Sequence, residues 1–184
     1  MITGEKVVLR PIRDEDWEII GSWAESRDAL WGAFQRFQLD HLPLLKQAYQ
    51  RSGLLTREGG MLLIETIEDS QIVGFVRYSM LSVPDGDHPH PEIGFGVPEV
   101  SARRRGYGKE AVALLVAYIF SSYPTQRITA FTDAENIPAQ HLMEGLGFHR
   151  EGMMRKSYFC DGDWHDIALY ASLRESFVHK PEAA

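Results

Sequence analysis

The chain has 184 residues, of which 44% are hydrophobic and 24% are charged. This is the composition of an ordinary globular domain, and it argues against a disordered or fibrous chain. Lys and Arg number 19 against 26 Asp and Glu, for a formal net charge of -7. The chain as a whole therefore repels nucleic acid and anionic membranes, and an anionic ligand must meet a local basic patch. We expect one domain over residues 1–184, with no nucleic-acid or membrane partner.

Cysteine usage and the N-terminal residues predict a cytoplasmic protein. Cys160 is the single cysteine, which excludes an internal disulfide and a cysteine-built zinc site and fits a reducing compartment. The first residues lack the basic and apolar stretches of a signal peptide. The longest apolar run, residues 111–120, is shorter than the ~20 residues that cross a bilayer.

The expected elements of the first half of the chain are a strand, helices and a hairpin. Residues 6–12 are β-branched and apolar, which predicts a strand, and Asp14 is the expected N-cap of a helix that runs through Trp23. Residues 29–50 have apolar positions at helical spacing. Residues 61–79 read as two strands joined by a short polar turn.

The second half alternates strands and helices, which predicts a mixed α/β domain. The expected elements are a strand at 92–97, a helix at 108–121, a strand at 127–132, a helix at 136–146 and two strands at 150–158 and 165–173.

A basic, glycine-containing turn precedes the helix at 108–121. Its residues are Arg103, Arg104, Arg105, Gly106, Tyr107, Gly108 and Lys109. The first N–H groups of a helix have no partner within the helix and lie at the positive end of its dipole, so such a turn suits a phosphate group. The P-loop and dinucleotide-binding patterns are both absent. A solvated, arginine-rich loop remains the alternative interpretation.

The strand at 92–97 has two unlike faces. Alternate residues expected to pack into the core are Ile93, Phe95 and Val97. The other face carries Glu92, Gly94 and Gly96, so we expect it to be almost free of side chains apart from the Glu92 carboxylate. Paired glycines in a strand often mark a bulge or the close approach of a ligand.

Arg103-x-x-Gly106-x-Gly108 resembles the acyl-CoA pyrophosphate loop of the GNAT N-acyltransferase superfamily. The order of elements around it is similar too, through Asn136 to the Leu146-Gly147-Phe148 stretch that follows. The opening residues 8–12 and the closing Gly162, Asp166 and Tyr170 resemble one branch of the superfamily, the ribosomal-protein alanine N-acetyltransferases. The resemblance covers nearly the whole chain.

This resemblance implies an α/β (α+β) fold of three layers, with a central mixed, mostly antiparallel sheet flanked by helices. The strands at 92–97 and 127–132 would splay apart, and acetyl-CoA would enter the gap as the acyl donor, without a metal. Its pantetheine would pair with the backbone of Phe95, Gly96 and Val97, and its pyrophosphate would lie on the turn at 103–109. Asn136 lies near the cofactor in such folds, and it is also a candidate N-cap.

Acyl transfer from a thioester to an amine requires a neutral amine, and therefore a group that accepts its proton. Glu92 is the candidate general base, with His88 and His90 as alternatives. Many GNAT enzymes have a tyrosine acid in the helix before the Leu-Gly-Phe element, but residues 140–144 contain none. The general acid is left open between His141, Tyr158 and solvent.

The candidate acceptor-site residues are Trp31, Phe34 and His88. Aromatic residues at helical spacing more often belong to a core, so a core role is the alternative for Trp31 and Phe34. Cys160 has no evident base partner, which favours direct attack by the amine. We expect an acetyl-CoA-dependent N-acetyltransferase acting on a protein N-terminal or small-molecule primary amine, as a monomer or homodimer. The alternative is a non-catalytic acyl-CoA-binding sensor or assembly subunit.

Overall fold

The computed structural model describes residues 1–25, 41–82, 89–160 and 162–178. The strands are β1 (Ile2–Thr3), β2 (Val7–Pro11), β3 (Gly59–Thr66), β4 (Ile72–Leu81), β5 (His90–Gly96), β6 (Arg127–Asp133), β7 (His149–Cys160) and β8 (Asp163–Leu173). The helices are α1 (Trp17–Glu25), α2 (His41–Ser52), α3 (Tyr107–Ser122), α4 (Ile137–Glu144) and α5 (Arg174–Val178). The candidate acceptor residues Trp31, Phe34 and His88 lie outside the described residues.

Eight strands of the described chain form one open sheet in the order β1-β2-β3-β4-β5-β6-β8-β7. Neighbours are antiparallel except β5 and β6, which run parallel. The expected mixed, mostly antiparallel sheet is therefore confirmed. The hairpin of β3 and β4 and that of β7 and β8 both form as expected.

Helices cover both faces of the sheet and complete three layers. The apolar side of α3 packs on one face, where Ala111, Leu115 and Ile119 are almost fully buried against strand residues such as Ile93 and Ile128. The other face has a smaller core around Trp23 of α1, and it includes Leu63 and Phe75 from the sheet. The sheet thus has an α3 face and an α1–α2 face. No helix in the described ranges is both long and apolar enough to span a membrane.

A split opens between β5 and β6. Only two residue pairs join these strands, Glu92 with Thr129 and Ile93 with Ala130. Beyond them β5 still pairs with β4 as far as Gly96, and β6 pairs with β8 as far as Asp133. The two strands therefore part after Ile93, and the expected splay is confirmed.

The expectation that Asp14 caps the first helix is wrong. Arg13 is the N-cap, in extended conformation, and Asp14 opens a short 3-10 turn that precedes α1. The carboxylate that accepts the Arg13 N–H, at 2.7 Å, belongs to Asp16. The same carboxylate binds the buried guanidinium of Arg10, so the residue that satisfies both donors lies two positions after Asp14, at the end of the 3-10 turn.

Candidate active site

The turn before α3 presents backbone N–H groups at the open end of the split. Gly106 is the N-cap of α3 with φ of 89°, a left-handed conformation, and it provides no side-chain cap. The first bond of the helix runs from Glu110 N to Gly106 O at 3.0 Å. The N–H groups before Glu110 therefore have no partner within the helix, as an anion site requires.

The side chains of the turn differ in their contacts and in their exposure to solvent. Arg103 donates from Nε to Val97 O at 2.9 Å and from Nη2 to Pro98 O at 3.1 Å, which ties the turn to the end of β5. The guanidinium of Arg105 lies over the ring of Tyr107. Arg104 is exposed, whereas Tyr107 is buried and can offer a ligand only its backbone.

Beside the basic turn, α3 packs closely against the end of β5, and two lysines add positive charge. A Cβ on Gly108 would lie 3.3 Å from Val97 Cγ2, so this glycine allows α3 to approach the end of β5. Lys109 is exposed. Lys6, which sequence analysis missed, places Nζ 3.5 Å from Arg105 O. Lys6 is about 100 residues away from the turn in the sequence, so no pattern within one segment of the chain could link the two.

The β5 strand confirms one expected face and corrects the other. Phe95 and Val97 pack against the α3 core, as expected. The opposite face is not free of side chains, because side chains of β4 cover both glycines. A Cβ on Gly94 would lie 2.8 Å from Nε of Arg77, and one on Gly96 would lie 2.8 Å from the ring of Phe75. The glycines here make room for cross-strand neighbours.

Glu92 lies at the closed end of the split. Its carboxylate is 3.5 Å from Nη2 of Arg77, and its side chain is 19% exposed. Because Gly96 lies beneath Phe75, Glu92 is on the α1–α2 face. His90, two residues earlier on the same face, has its pKa lowered by burial and by the nearby charge of Arg127.

Asn136 begins α4. Its Oδ1 accepts a hydrogen bond from Ala139 N at 3.3 Å, so its role as an N-cap is confirmed. A contact between Asn136 and the cofactor remains a prediction. His141, one of the candidate acids, is exposed on the same helix.

A cluster that sequence analysis did not assemble lies where β6 ends. The carboxylate of Asp133, 1% exposed, accepts bonds at Oδ2 from Tyr158 Oη (2.5 Å) and from His165 Nδ1 (2.8 Å). Its Oδ1 accepts from Glu135 N at 2.7 Å. Burial and the bond to Asp133 raise the pKa of Tyr158. Three strands contribute to this cluster, so only the register of the sheet reveals it.

We searched the described residues for side chains that could bind a metal ion. Within the described ranges, no group of three or more His, Cys, Asp and Glu side chains could hold a metal ion. The basic turn, in contrast, suits a diphosphate.

The chain is similar to acetyltransferases of known family. Residues 6–149 match the model of the acetyltransferase (GNAT) domain. It is 27% identical to a probable N-acetyltransferase, YjcK, of Bacillus subtilis, over 94% of this chain and 97% of the relative. It is 24% identical to the ribosomal protein uS5-alanine N-acetyltransferase of Escherichia coli, over 92% of this chain and 89% of the relative.

A solved structure of spermidine N-acetyltransferase from Vibrio cholerae, in complex with CoA and spermine, has the same fold. It superposes with a TM-score of 0.79 at 17% identity, over 94% of this chain and 98% of that one. The expected GNAT fold is confirmed.

The chain belongs to the GNAT acetyltransferase family. It is an N-acetyltransferase, an enzyme that transfers an acetyl group to an amine. The alternative of a non-catalytic sensor is not favoured.

Proposed function

We propose that the enzyme holds acetyl-CoA across the split between β5 and β6. The split leaves the backbone edge of Phe95, Gly96 and Val97 without a strand partner on the β6 side, where an extended pantetheine can pair as an added strand. The basic turn follows directly at the open end, so the pyrophosphate lies there and the thioester points toward Glu92. This arrangement of split and turn is the observation that carries the proposal.

Within the turn, the backbone N–H groups of Gly106, Tyr107, Gly108 and Lys109 bind the pyrophosphate, with Arg104, Arg105 and Lys109 supplying mobile positive charge. Arg103 keeps the turn beside β5 through its bonds to Val97 O and Pro98 O. Asn136, three residues after the end of β6 and at the start of α4, is the further proposed cofactor contact. No metal is required by this chemistry.

We propose that Glu92 accepts the proton of the acceptor ammonium, directly or through water. The neutral amine then attacks the thioester carbonyl without a covalent enzyme intermediate, and the proton ends in solvent while CoA leaves as its thiol. Backbone N–H groups of the split stabilise the oxyanion. His90, kept neutral near pH 7 by its lowered pKa, is the second candidate on this face.

The acceptor in this proposal is a primary amine, either a protein N-terminus or a small molecule. The relatives and neighbours include enzymes named for both kinds, a ribosomal-protein alanine and spermidine. Trp31, Phe34 and His88 remain the candidate acceptor contacts. We further propose a cytoplasmic enzyme of one domain, monomeric or homodimeric, that has no nucleic-acid or membrane partner.

Calorimetric titration of acetyl-CoA tests the cofactor site. In the double variant Arg104→Ala/Arg105→Ala we expect affinity to fall about tenfold or more, since charge-assisted hydrogen bonds contribute roughly 1.5–3 kcal/mol. Arg155→Ala, which removes an exposed arginine on β7, is the matched control and should bind as the parent does. Equal affinity in all three proteins would exclude Arg104 and Arg105 from the cofactor site.

A further inference from the structure

We propose that the Asp133–His165 pair recognises a second N–H group of the acceptor, remote from the amine that is acetylated. Such an acceptor is bifunctional, with a cationic donor as the preferred second group. The inference rests on the proposed function and extends it to the class of acceptor.

The tautomer of His165 is set by its partner. Nδ1 lies 2.8 Å from Oδ2 of Asp133, and a buried carboxylate in this position accepts the Nδ1 proton. Tyr158 donates to the same oxygen and its ring packs beside the imidazole, at 5.2 Å between ring centroids. The ring is therefore held in place, and Nε2 of the neutral imidazole is a hydrogen-bond acceptor.

The side chain of His165 is 18% exposed, and its Nε2 has no hydrogen-bond partner among the described residues. The described contacts of His165 are the carboxylate of Asp133 and the ring of Tyr158. No buried side-chain nitrogen or oxygen of the described residues lacks a hydrogen-bond partner. Since Nε2 has no partner there, it must be accessible to solvent.

The pair lies on the same face of the sheet as Glu92. Thr129 is the register partner of Glu92 across β5 and β6, and alternate residues of a strand share a face, so Asp133 points to the same side as Thr129. The four residues from Thr129 to Asp133 span about 13 Å at roughly 3.3 Å each. A ligand that reaches both Glu92 and His165 must therefore be extended.

The charge of the Asp133–His165 pair favours a cationic donor as the second group of the acceptor. Asp133 is buried as a carboxylate with three donors around it, and with the imidazole in its neutral form the pair has a net negative charge. An ammonium or another N–H donor bound at Nε2 complements this charge. The acceptor thus carries one amine for acetylation and one donor at the far end of an extended chain.

Release of the CoA thiol from acetyl-CoA, measured with matched acceptors, tests the proposal. One arm compares α,ω-diaminoalkanes of increasing length with n-alkylamines of the same length. The other compares short peptides that carry lysine or norleucine after a free N-terminus, which separates a small-molecule acceptor from a protein one. In at least one arm we expect the bifunctional acceptor to have a kcat/KM about 10- to 100-fold higher, the range of a hydrogen bond to a charged group.

Two substitutions at His165 separate recognition from structure. His165→Asn keeps a donor toward Asp133 but has no atom at the Nε2 position, so we expect the preference to disappear through a raised acceptor KM. His165→Gln retains an acceptor atom near that position and should retain part of the preference. His149→Asn, at an exposed histidine on β7, is the control.

Loss of the preference in His165→Asn, with an unchanged kcat/KM for the monofunctional amine and an unchanged KM for acetyl-CoA, supports the proposal. A parent enzyme without preference, a preference that survives in His165→Asn, or an equal loss in His149→Asn overturns it. Failure of the proposed function has a different signature, because no amine would then release CoA thiol from the parent enzyme.

Discussion

At the scale of single residues, Glu92 has the clearest expected effect on turnover. Replacing it with Gln removes a proton acceptor but preserves the shape of the side chain at the closed end of the split. We expect kcat to fall about 10²–10⁴-fold, the usual contribution of a positioned general base. The affinity for acetyl-CoA should stay nearly constant, because the basic turn lies at the opposite end of the split.

Glu151→Gln is the matched control for this change. Glu151 pairs with Arg127 at 2.5 Å, as Glu92 pairs with Arg77, but its side chain is 37% exposed on β7. Thiol-release kinetics over a range of pH should leave the control unchanged. An unaltered pH–rate profile in Glu92→Gln would exclude Glu92 as the base and direct attention to His90.

At the scale of elements, the pairing of β4 with β5 gives Gly94 and Gly96 neighbours that differ in their freedom to move, so the two glycines should differ in their tolerance of substitution. A Cβ on Gly94 meets the guanidinium of Arg77, whose side chain is 50% exposed and can swing into solvent. A Cβ on Gly96 meets the ring of Phe75, which is 9% exposed and packed in the core beneath α1. We expect Gly94→Ala to change the free energy of unfolding by less than about 0.5 kcal/mol, and Gly96→Ala to lower it by about 1–3 kcal/mol.

Urea unfolding of the two variants beside the parent protein measures this difference. Each variant is the control for the other, because both add one methyl group to the same strand face. Equal destabilisation, or a larger loss at Gly94, would mean that the side chains of β4 do not limit the space above β5.

The same strand explains what could be predicted from the sequence and what could not. Local patterns sufficed for the helix over Tyr107–Ser122 and for the core face of β5, since spacing along one segment determines both. The occupants of the glycine face come from β4 and depend on register. The Asp133 cluster likewise needs three strands to be aligned, and no window of a single chain segment contains that information.

At the scale of the whole molecule, cross-links join the basic turn to both layers of helices. Nε1 of Trp23, buried in α1, donates to Glu99 at 2.8 Å, just before the turn. The carboxylate of Glu110 in α3 accepts the backbone N–H of Lys6 at 3.0 Å. The basic turn is thereby connected to α1, on the α1–α2 face of the sheet, and to the segment between β1 and β2.

A buried ion cluster between β2, β3 and the turn before α1 should make the free energy of unfolding depend on pH in the acidic range. Arg10 is 3% exposed and bridges Asp16 and Glu65, with bonds to Asp16 of 2.7 and 2.8 Å. Burial alone would raise the pKa of Asp16, but the hydrogen bonds from Arg10 and from the Arg13 N–H lower it below its usual value of 3.8. A carboxyl group whose pKa is lower in the folded state stabilises the fold above its unfolded pKa, and this contribution is lost as the pH falls through the folded pKa.

Asp16→Asn should therefore lower the free energy of unfolding at pH 7 by about 1.5–3 kcal/mol, because Arg10 loses its charge-assisted bonds to Asp16 and keeps only its pairing with Glu65. The difference from the parent protein should shrink as the pH falls below about 4, where the parent carboxyl also becomes neutral. Urea unfolding at a series of pH values measures both effects. Glu15→Gln, at a 69% exposed carboxylate 3.7 Å from Arg13, should change the free energy by no more than about 1 kcal/mol at any pH. A difference between Asp16→Asn and the parent that stays constant from pH 7 to pH 3 would show that the ionised carboxylate of Asp16 is not what stabilises this corner of the fold.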